Sequence, residues 1–432
     1  MPMHADVLIV GAGPAGLSLA ISLAQAGLQV TVIEQQSLEA LQQPRPDGRE
    51  IALTHPSVQT LERLGSWQGL QTHEVSRIRE AQVHDGPVGQ RPMLAIEATG
   101  SGLAQLGYIV PNHALRRTAW EVASRTPGVQ IVTGAQVTGV SLHSSHGEVR
   151  HARTDQHGRR SEAAPLKAAL VVAADSRFSA MRRMLGVGAQ MTDFGRTVIV
   201  CRLSHSLALQ DVAHECFGYE RTLAILPVQP DLATGELLCS AVITTDSADA
   251  QQLLELAPEE FAAHVEREFR GRLGPMALVG ERHSYPLVAT YAHRFSGARW
   301  ALLGDAAVGM HPVTAHGFNL GLSGVERLTA AVQAARQAGQ DWSSAPVLER
   351  YARDHHRHAL PIFAGTNAVV KLYTDARPLP RLARQAVLQV SRHLPPLKAA
   401  IAAQLTGRSP WPMMRAQLPG ALGKTMSSNG KC

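Results

Sequence analysis

Two glycine-bearing stretches hold the residues of this chain whose types and spacing could do chemistry. The first is Gly11-x-Gly13-x-x-Gly16, completed by Ala12, Pro14 and Ala15, with Glu34 eighteen residues beyond Gly16. Gly11 suits a tight turn, Gly13 lets the backbone approach a pyrophosphate, and Gly16 lets the next helix pack closely on its strand. The N-terminus of that helix aims free N–H groups and a positive dipole end at phosphate. Glu34 is placed to accept hydrogen bonds from a ribose diol, where a basic residue would point to a 2′-phosphate. This is dinucleotide-binding chemistry, and it does not separate NAD from FAD. The second stretch, GDAAVGMHPVTAHGFN, runs from 304 to 319. An Asp at a strand end, Asp305, can accept two sugar hydroxyls, and a helix starting near Asn319 can present backbone N–H groups to an electron-rich edge. The stretch is either an ordinary capped turn or the far end of a long cofactor whose first end lies at the N-terminus. His311 and His316 are candidates for a base or proton relay there, although with twenty histidines in the chain solvated and packing roles compete.

The elements that must position these residues follow from the pattern. An apolar run from Asp6 to Val10 predicts a strand, the alanine-rich stretch to about Ala26 a helix, and Gln29 to Ile33 a second strand closing on Glu34. In RPDGREIALTHPSVQTLERLGSW, Arg49 precedes Ala52 and Leu53, and Val58, Leu61 and Leu64 share one side of a predicted helix. LKAALVVAADSRFSAMRRMLG reads as a strand ending at Asp175 and a helix beginning near Arg177, with Ser176 or Ser179 as cap. TVIVCRL, TLAILPV and ELLCSAVITT are apolar strand candidates, Pro258 to Arg270 is a helix, and HARTDQHGRR is a polar hairpin-like insertion.

Length and composition bound the rest. At 432 residues, 45% of them hydrophobic, the chain can bury a large core split over two or three units. No run reaches the ~18 unbroken apolar residues of a membrane span. MPMHADVLIVGAG carries no basic leader or cleavage site, so the cytoplasm is the expected location, with a peripheral position at the inner membrane face as an option. Cys201, Cys216, Cys239 and Cys432 have neither CxxC spacing nor clustered histidines, which speaks for reduced, buried thiols and against a disulfide framework or a metal site. The net charge of +6 is uneven: residues 376–432 hold nine Lys or Arg and no Asp or Glu, leaving 32 bases against 35 acids elsewhere. In that tail Leu382, Ala386, Val387, Val390 and Leu394 share one helical face and Arg381, Arg384 and Arg392 another. An anionic surface and the protein's own flank are equally good partners for such a helix. Nucleic acid is a poor one, because Trp411 is the tail's one aromatic residue and no recognition motif accompanies it.

GAGPAG at 11–16, Arg49 with Ala52 and Leu53, AADSRFSAMRR at 173–183, and GDAA, HP and GFNLGL at 304–322 come in the order and rough spacing of the FAD-dependent aromatic-ring monooxygenases of the para-hydroxybenzoate hydroxylase type, which the chain resembles from about residue 5 to about 407. TDFGRTVIV, ECFGYERTLAILPV, SYPLVATYAHRF and GDAAVGMHP look most like the ubiquinone-biosynthesis hydroxylases. The resemblance implies an α/β fold in which a Rossmann-like FAD-binding domain (1–75, 105–185 and 290–375) is interleaved with a smaller mixed-sheet substrate domain (76–104 and 186–289), followed by a basic helical tail (376–432). It implies FAD held by Gly11, Ala12, Gly13, Pro14, Ala15, Gly16, Glu34, Arg49, Arg116, Val137, Asp175, Asp305, Gly317, Phe318 and Asn319, with the second glycine-bearing stretch holding the flavin end. His311, Pro312 and His316 would stand at the reacting centre, and Tyr219, Tyr285 and Pro286 would line the substrate pocket.

The implied reaction is hydroxylation of a polyprenylated phenol or quinol by O2 through a flavin C4a-hydroperoxide, at the demethoxyubiquinol C5 step, with NAD(P)H as an optional electron donor. The protein would position the ring, exclude water and favour the phenolate. The tail would meet an anionic membrane surface or other ubiquinone-pathway proteins. The chain departs from the family pattern in three places: Ser176 follows Asp175 where Gly is usual, Val313-Thr314-Ala315-His316-Gly317 replaces Ala-Gly-Gln-Gly, and Val308 stands where His is frequent. The competing functions are an FAD-dependent reductase or dehydrogenase of the same fold that uses no O2, such as a prenyl reductase, and a flavin-binding scaffold without activity.

Overall fold

The computed structural model describes residues 5–89, 92–99, 102–154, 158–218, 220–310 and 316–374. The expected basic tail therefore lies outside the described residues. The first element is the strand Val7–Val10, four buried residues in a row, as a strand covered on both faces requires. It pairs in parallel with Val30–Ile33 on one side and Leu170–Ala173 on the other. Val129–Val132 and Trp300–Leu302 extend the parallel sheet outward, and Ser296–Gly297 closes it as an antiparallel edge. The chain thus winds outward in both directions from its first strand, which is the topological switch point of a doubly wound sheet. Helices Pro14–Gln25 and Gly317–Gln337 pack against each other in this layer, tied by the Thr329 hydroxyl donating to Ser22 Oγ at 3.0 Å.

A second sheet of eight strands is mostly antiparallel, and runs Val308–Gly309, Met276–Ala292, Ala189–His205, Leu237–Asp246, Thr222–Pro227, Val212–Phe217, Glu80–Asp85, Leu94–Glu97. Every second residue faces one side: Ile199, Cys201, Leu203, Cys216, Leu223, Ile225, Cys239, Ala241 and Ile243 bury against helices Ser247–Glu255 and Pro258–Glu268. The two 17-residue strands, Ala189–His205 and Met276–Ala292, pair along almost their whole length. One end of this ribbon, with Ala289, Tyr291 and Ala292, belongs to the core of the parallel sheet. The other, with Ile199, Cys201 and Leu203, belongs to the core of the second sheet.

The elements follow the sequence pattern with local differences. Strand Leu170–Ala173 ends two residues before Asp175, and the helix behind it starts at Ala180 rather than near Arg177. The cause is Asp175: its carboxylate accepts from the Ser179 hydroxyl at 2.6 Å and from the Met181 N–H at 3.3 Å, holding the intervening residues as a turn, while Ser179 caps the helix through Arg182 N–H. Ser76–Ile78 pairs with Gly107–Pro111 in a separate three-stranded sheet with Glu50–Leu53, not with the eight-stranded one. The polar insertion is an antiparallel pair, Gly147–Thr154 with Arg160–Glu162. Cys201, Cys216 and Cys239 are free and buried, and burial pushes the Cys201 thiol up to about 12. Among the described residues no helix is long and apolar enough to cross a membrane.

Candidate functional site

Val10, Ile33, Ala173 and Leu302 sit at one level across the parallel sheet, since Val10 pairs with both Ile33 and Ala173, and Ala173 with Leu302. Gly11, Glu34, Asp175 and Asp305 follow these residues and emerge at the carboxyl ends of four adjacent strands, where open α/β sheets hold their ligands. Three strand spacings, roughly 14 Å, lie between the strand of Glu34 and that of Asp305. An extended molecule laid across these ends would touch all four.

The three glycines of the first turn differ in what surrounds them. Gly11 has φ +111°, and a Cβ there would lie 2.4 Å from the Ala174 carbonyl oxygen. At Gly16 it would lie 2.1 Å from the oxygen of Gly11, so both are glycines because protein backbone presses on them. Gly13 caps helix Pro14–Gln25 in an ordinary extended conformation, and a Cβ there would meet nothing within 4 Å. Nothing in the protein demands glycine at this position, whereas a phosphate held on the first-turn N–H groups does. The residues present fit FAD at this end. Glu34 accepts from Ala12 N–H at 2.7 Å and from Gln36 N–H at 2.8 Å, one bond on each oxygen, which leaves lone pairs for a ribose diol. Arg116 donates to the Gln36 side chain at 2.7 Å, beside that acid. Val137 lies in strand Ala135–Leu142, which starts where Ala135 N–H donates to the Glu34 carbonyl.

The distant stretch meets this turn directly. Ala15 Cβ is 3.4 Å from where a Cβ would sit on either Gly304 or Gly321, so the two helix starts stand side by side. Asp305 is 39% exposed and pairs with Arg177 at 3.2 Å; Arg177 also donates to the Val288 carbonyl at 3.0 Å. Buried Arg182 donates to the Ala306 carbonyl at 2.8 Å. The middle motif thereby braces the Gly-Asp turn from below. Helix Gly317–Gln337 begins at Gly317, two residues before the expected Asn319, and the N–H groups of 317–319 precede its first internal bond, Leu320 N–H to the His316 carbonyl. The Asn319 side chain is a strut: it donates to Ala52 O at 2.8 Å and accepts from Thr54 N–H at 3.0 Å, locking strand Glu50–Leu53 onto the helix. Phe318 packs in the apolar cluster of Leu53, Val58 and Leu322, and His316 is buried at the helix start.

Strand Glu50–Leu53 and the loop before it carry a charged cluster that touches the second sheet. Arg49 donates two bonds to the Asp47 carboxylate and lies over the Tyr285 ring at 5.4 Å, while the Tyr285 hydroxyl donates to the Asp47 carbonyl at 2.7 Å. Burial works against the charge on Asp47, but the bonds and charge of Arg49, with the Asn112 amide, outweigh it and hold this carboxyl below its usual range. Arg49 is likewise held charged: burial opposes it and Asp47 prevails, with smaller help from Tyr285 and Asp305. Glu50 is buried, with one oxygen on Arg202 at 2.6 Å and 2.9 Å and the other without a hydrogen bond, and burial raises its pKa against the pull of Arg202. Pro286 pairs opposite Thr197 beside a bulge in the long ribbon.

The structure thus gathers Gly11, Ala12, Gly13, Pro14, Ala15, Gly16, Glu34, Asp175 and Asp305 at one crevice; the Asp175 carboxylate also accepts from Ser179 and Met181, and the Asn319 side chain also bonds Ala52 and Thr54. Tyr219, His311 and Pro312 lie outside the described residues. Sequence reasoning missed Asp47, although the Asp-Gly pair in RPDGRE is a turn signal. It also missed the pairing of Arg177 with Asp305 and the surface group His143, His146 and Glu148, whose ligand atoms lie within 4.8 Å of one another.

Comparison with known proteins places this geometry in context. The model of a family described as FAD binding domain matches residues 4–364. Ubiquinone hydroxylase UbiM of Neisseria meningitidis is 45% identical over 409 residues, covering 94% of this chain and 86% of that protein. Ubiquinone hydroxylase UbiL of Rhodospirillum rubrum is 33% identical over 402 residues, covering 91% and 87%. The 3-demethoxyubiquinol 3-hydroxylase of Escherichia coli is 27% identical over 347 residues, covering 80% and 84%. Among solved structures, p-nitrophenol 4-monooxygenase PnpA from Pseudomonas putida shares the fold, with a TM-score of 0.73 at 19% identity over 95% of this chain and all of that one.

Proposed function

Since the chain belongs to the FAD binding domain family and is an FAD-dependent monooxygenase, we propose that it hydroxylates the aromatic ring of a polyprenylated phenol or quinol in ubiquinone biosynthesis. The observation that carries this reading is the row of Glu34, Gly11, Asp175 and Asp305 at the carboxyl ends of four neighbouring strands, joined to a relative at 45% identity that is named a ubiquinone hydroxylase. The ring carbon we assign is that of the demethoxyubiquinol step, the substrate for which the Escherichia coli relative is named. Bound FAD would supply the reducing equivalents and the oxygen chemistry. Glu34 and the Gly13 turn would hold its adenosine and pyrophosphate, Asp305 its sugar-like chain, and Arg49 and Arg116 its charged middle. Segments 1–75, 105–185 and 290–375 serve as the cofactor unit, and 76–104 with 186–289 form the wall against which the ring lies, with Tyr285 and Pro286 on it; Tyr219, which we assign to the same substrate, lies outside the described residues. NAD(P)H is the donor we assign, and the basic tail of 376–432 carries the enzyme to an anionic membrane surface.

Oxygen uptake by the FAD-loaded full chain with NAD(P)H tests this reading. Uptake should begin when a short-chain demethoxyubiquinol is added, and one oxygen atom from labelled O2 should appear in the product mass. NAD(P)H oxidation with saturation of the prenyl chain and no oxygen uptake would make the protein a reductase instead.

A further inference from the structure

The face of the eight-stranded sheet opposite its helices carries a row of side chains fixed by register. His283 pairs with Val200, Val200 with Val242, Val242 with Ala224, Ala224 with Glu215, and Glu215 with Val83. Side chains at paired positions share a face. The residues of opposite parity, Ile199, Ile243, Leu223 and Cys216, all lie in the core against the helices, so the Glu215 row faces the other way. That way is toward the cofactor unit: a Cβ on Gly48 would touch His283 at 2.7 Å and Val200 at 2.9 Å, and Arg202, one step along the same face, bonds Glu50. The row is therefore an apolar floor of Val and Ala, covered at one end by the Gly48 loop, with the Glu215 carboxyl about three strand spacings, or roughly 14 Å, from Val200.

Glu215 is half-buried, and its carboxylate has neither a hydrogen bond nor an ion pair among the described residues. Carboxylates off the solvent surface are ordinarily paired. Burial pushes this one up to about 8. Among the described residues the other charged or titratable groups on this face include Asp85 on the adjoining strand and Arg202, His283, Tyr285, Arg196 and Asp246 across the sheet, Tyr285 packing with Val200 and Val242 and donating its hydroxyl to the Asp47 carbonyl; Arg77, on the strand Ser76–Ile78 that packs on Thr222–Pro227, is exposed. His214 and Cys216 project to the opposite face, His214 against Phe269. An unpartnered carboxyl on an apolar floor is suited to one kind of ligand, an otherwise apolar molecule with a single hydroxyl.

We propose that Glu215 receives the hydroxyl of the aromatic substrate, fixing the ring on the Val242–Ala224 floor and taking the phenolic proton. This rests on the function proposed above and adds the residue that holds the phenol. In the step, the phenol O–H bond breaks, its electron pair stays on oxygen as phenolate, and the proton passes to a Glu215 carboxylate oxygen, giving the carboxylic acid. The ring gains electron density at the carbons ortho and para to that oxygen.

The test is binding of 2-prenylphenol to the FAD-loaded full chain between pH 6.5 and 9.5, followed by the change in flavin absorbance, for the natural protein, Glu215→Gln and Glu215→Leu. Both substitutions remove an unpaired, half-buried acid, and thermal melting should show both variants folded. The natural protein should bind the phenol about tenfold more tightly above pH 8.5 than below pH 7, the gain of a charge-assisted bond. Both variants should bind at a weak level that does not change with pH. Phenol-dependent oxygen uptake with the same pH profile of Kd in all three proteins overturns the assignment of Glu215 and leaves the monooxygenase reading standing. A pH step that is lost in the variants, in a protein that consumes no oxygen, supports Glu215 and overturns the monooxygenase. No binding of the phenol by the natural protein at any pH overturns both.

Discussion

Gly13→Ser separates a glycine kept for a ligand from one kept for packing. Gly13 is the N-cap of helix Pro14–Gln25, with φ −66° and ψ 168° and no side-chain cap. Serine adopts that conformation freely, and its hydroxyl can accept a first-turn N–H, so the cofactor-free protein should gain a few tenths of a kcal/mol. A Cβ at this position meets no protein atom within 4 Å, but the serine side chain fills the space assigned to the pyrophosphate. Intrusion into a filled site costs about 1–3 kcal/mol, which raises Kd for FAD by about 5- to 150-fold. Gly16→Ala should do the reverse, because its Cβ would lie 2.1 Å from the Gly11 carbonyl and must displace backbone, so the cofactor-free protein itself loses stability. The assay strips flavin with a chaotrope, measures urea unfolding of each cofactor-free protein, and titrates FAD by fluorescence quenching. Natural FAD affinity in Gly13→Ser, or a loss of more than about 1 kcal/mol in its cofactor-free form, would refute the distinction drawn between the two glycines.

Asp305→Ala should leave the purified protein folded and colourless, since the half-exposed pair with Arg177 adds little stability; flavin retained at natural occupancy would remove Asp305 from the cofactor site. His355, His214 and His84 are buried and held neutral, burial pushing them down to about 3, 3 and 4. Their folded pKa values lie below the unfolded 6.5, so unfolding takes up protons, and the stability they contribute is complete above pH 6.5 and falls as pH drops toward 4. The slope near pH 5 should approach about 1.4 kcal/mol per pH unit for each histidine, and His355→Phe should flatten the urea-measured curve between pH 7 and 5. An unchanged curve would mean that His355 is protonated in the fold. Removal of residues 376–432 should weaken flotation with anionic vesicles, most at low salt; equal binding by the shortened and full chains would leave the tail as packing.

What the sequence made legible was local. Strand, Gly-x-Gly-x-x-Gly turn, helix, strand and Glu34 follow one another within thirty residues, and each depends on its immediate neighbours. Asp305 could be singled out at long range because the stretch around it carries its own turn chemistry. Asn319 was expected to offer its backbone N–H at a helix start; that its side chain also spans to Ala52 and Thr54, some 265 positions away, is a partnership that only the placing of the helix against the strand creates. That Asp175 also holds the turn before helix Ala180–Met184 was not legible, because it depends on where Ser179 falls in that turn. Glu215 stood inside an apolar stretch with nothing to mark it. Its meaning comes from five register choices between strands far apart in the chain, which composition and periodicity do not encode.

The paired 17-residue strands Ala189–His205 and Met276–Ala292 run without interruption from one hydrophobic core into the other. Neither half of the molecule can then be excised as a portable module, because any cut that frees one core leaves the other with a severed ribbon and its bare apolar side in water. A protease reaching the chain would find its sites in the surface turns rather than at a boundary between halves. The eight-stranded sheet and the parallel sheet thus share a single girder, which can be decorated at its surface turns but not divided.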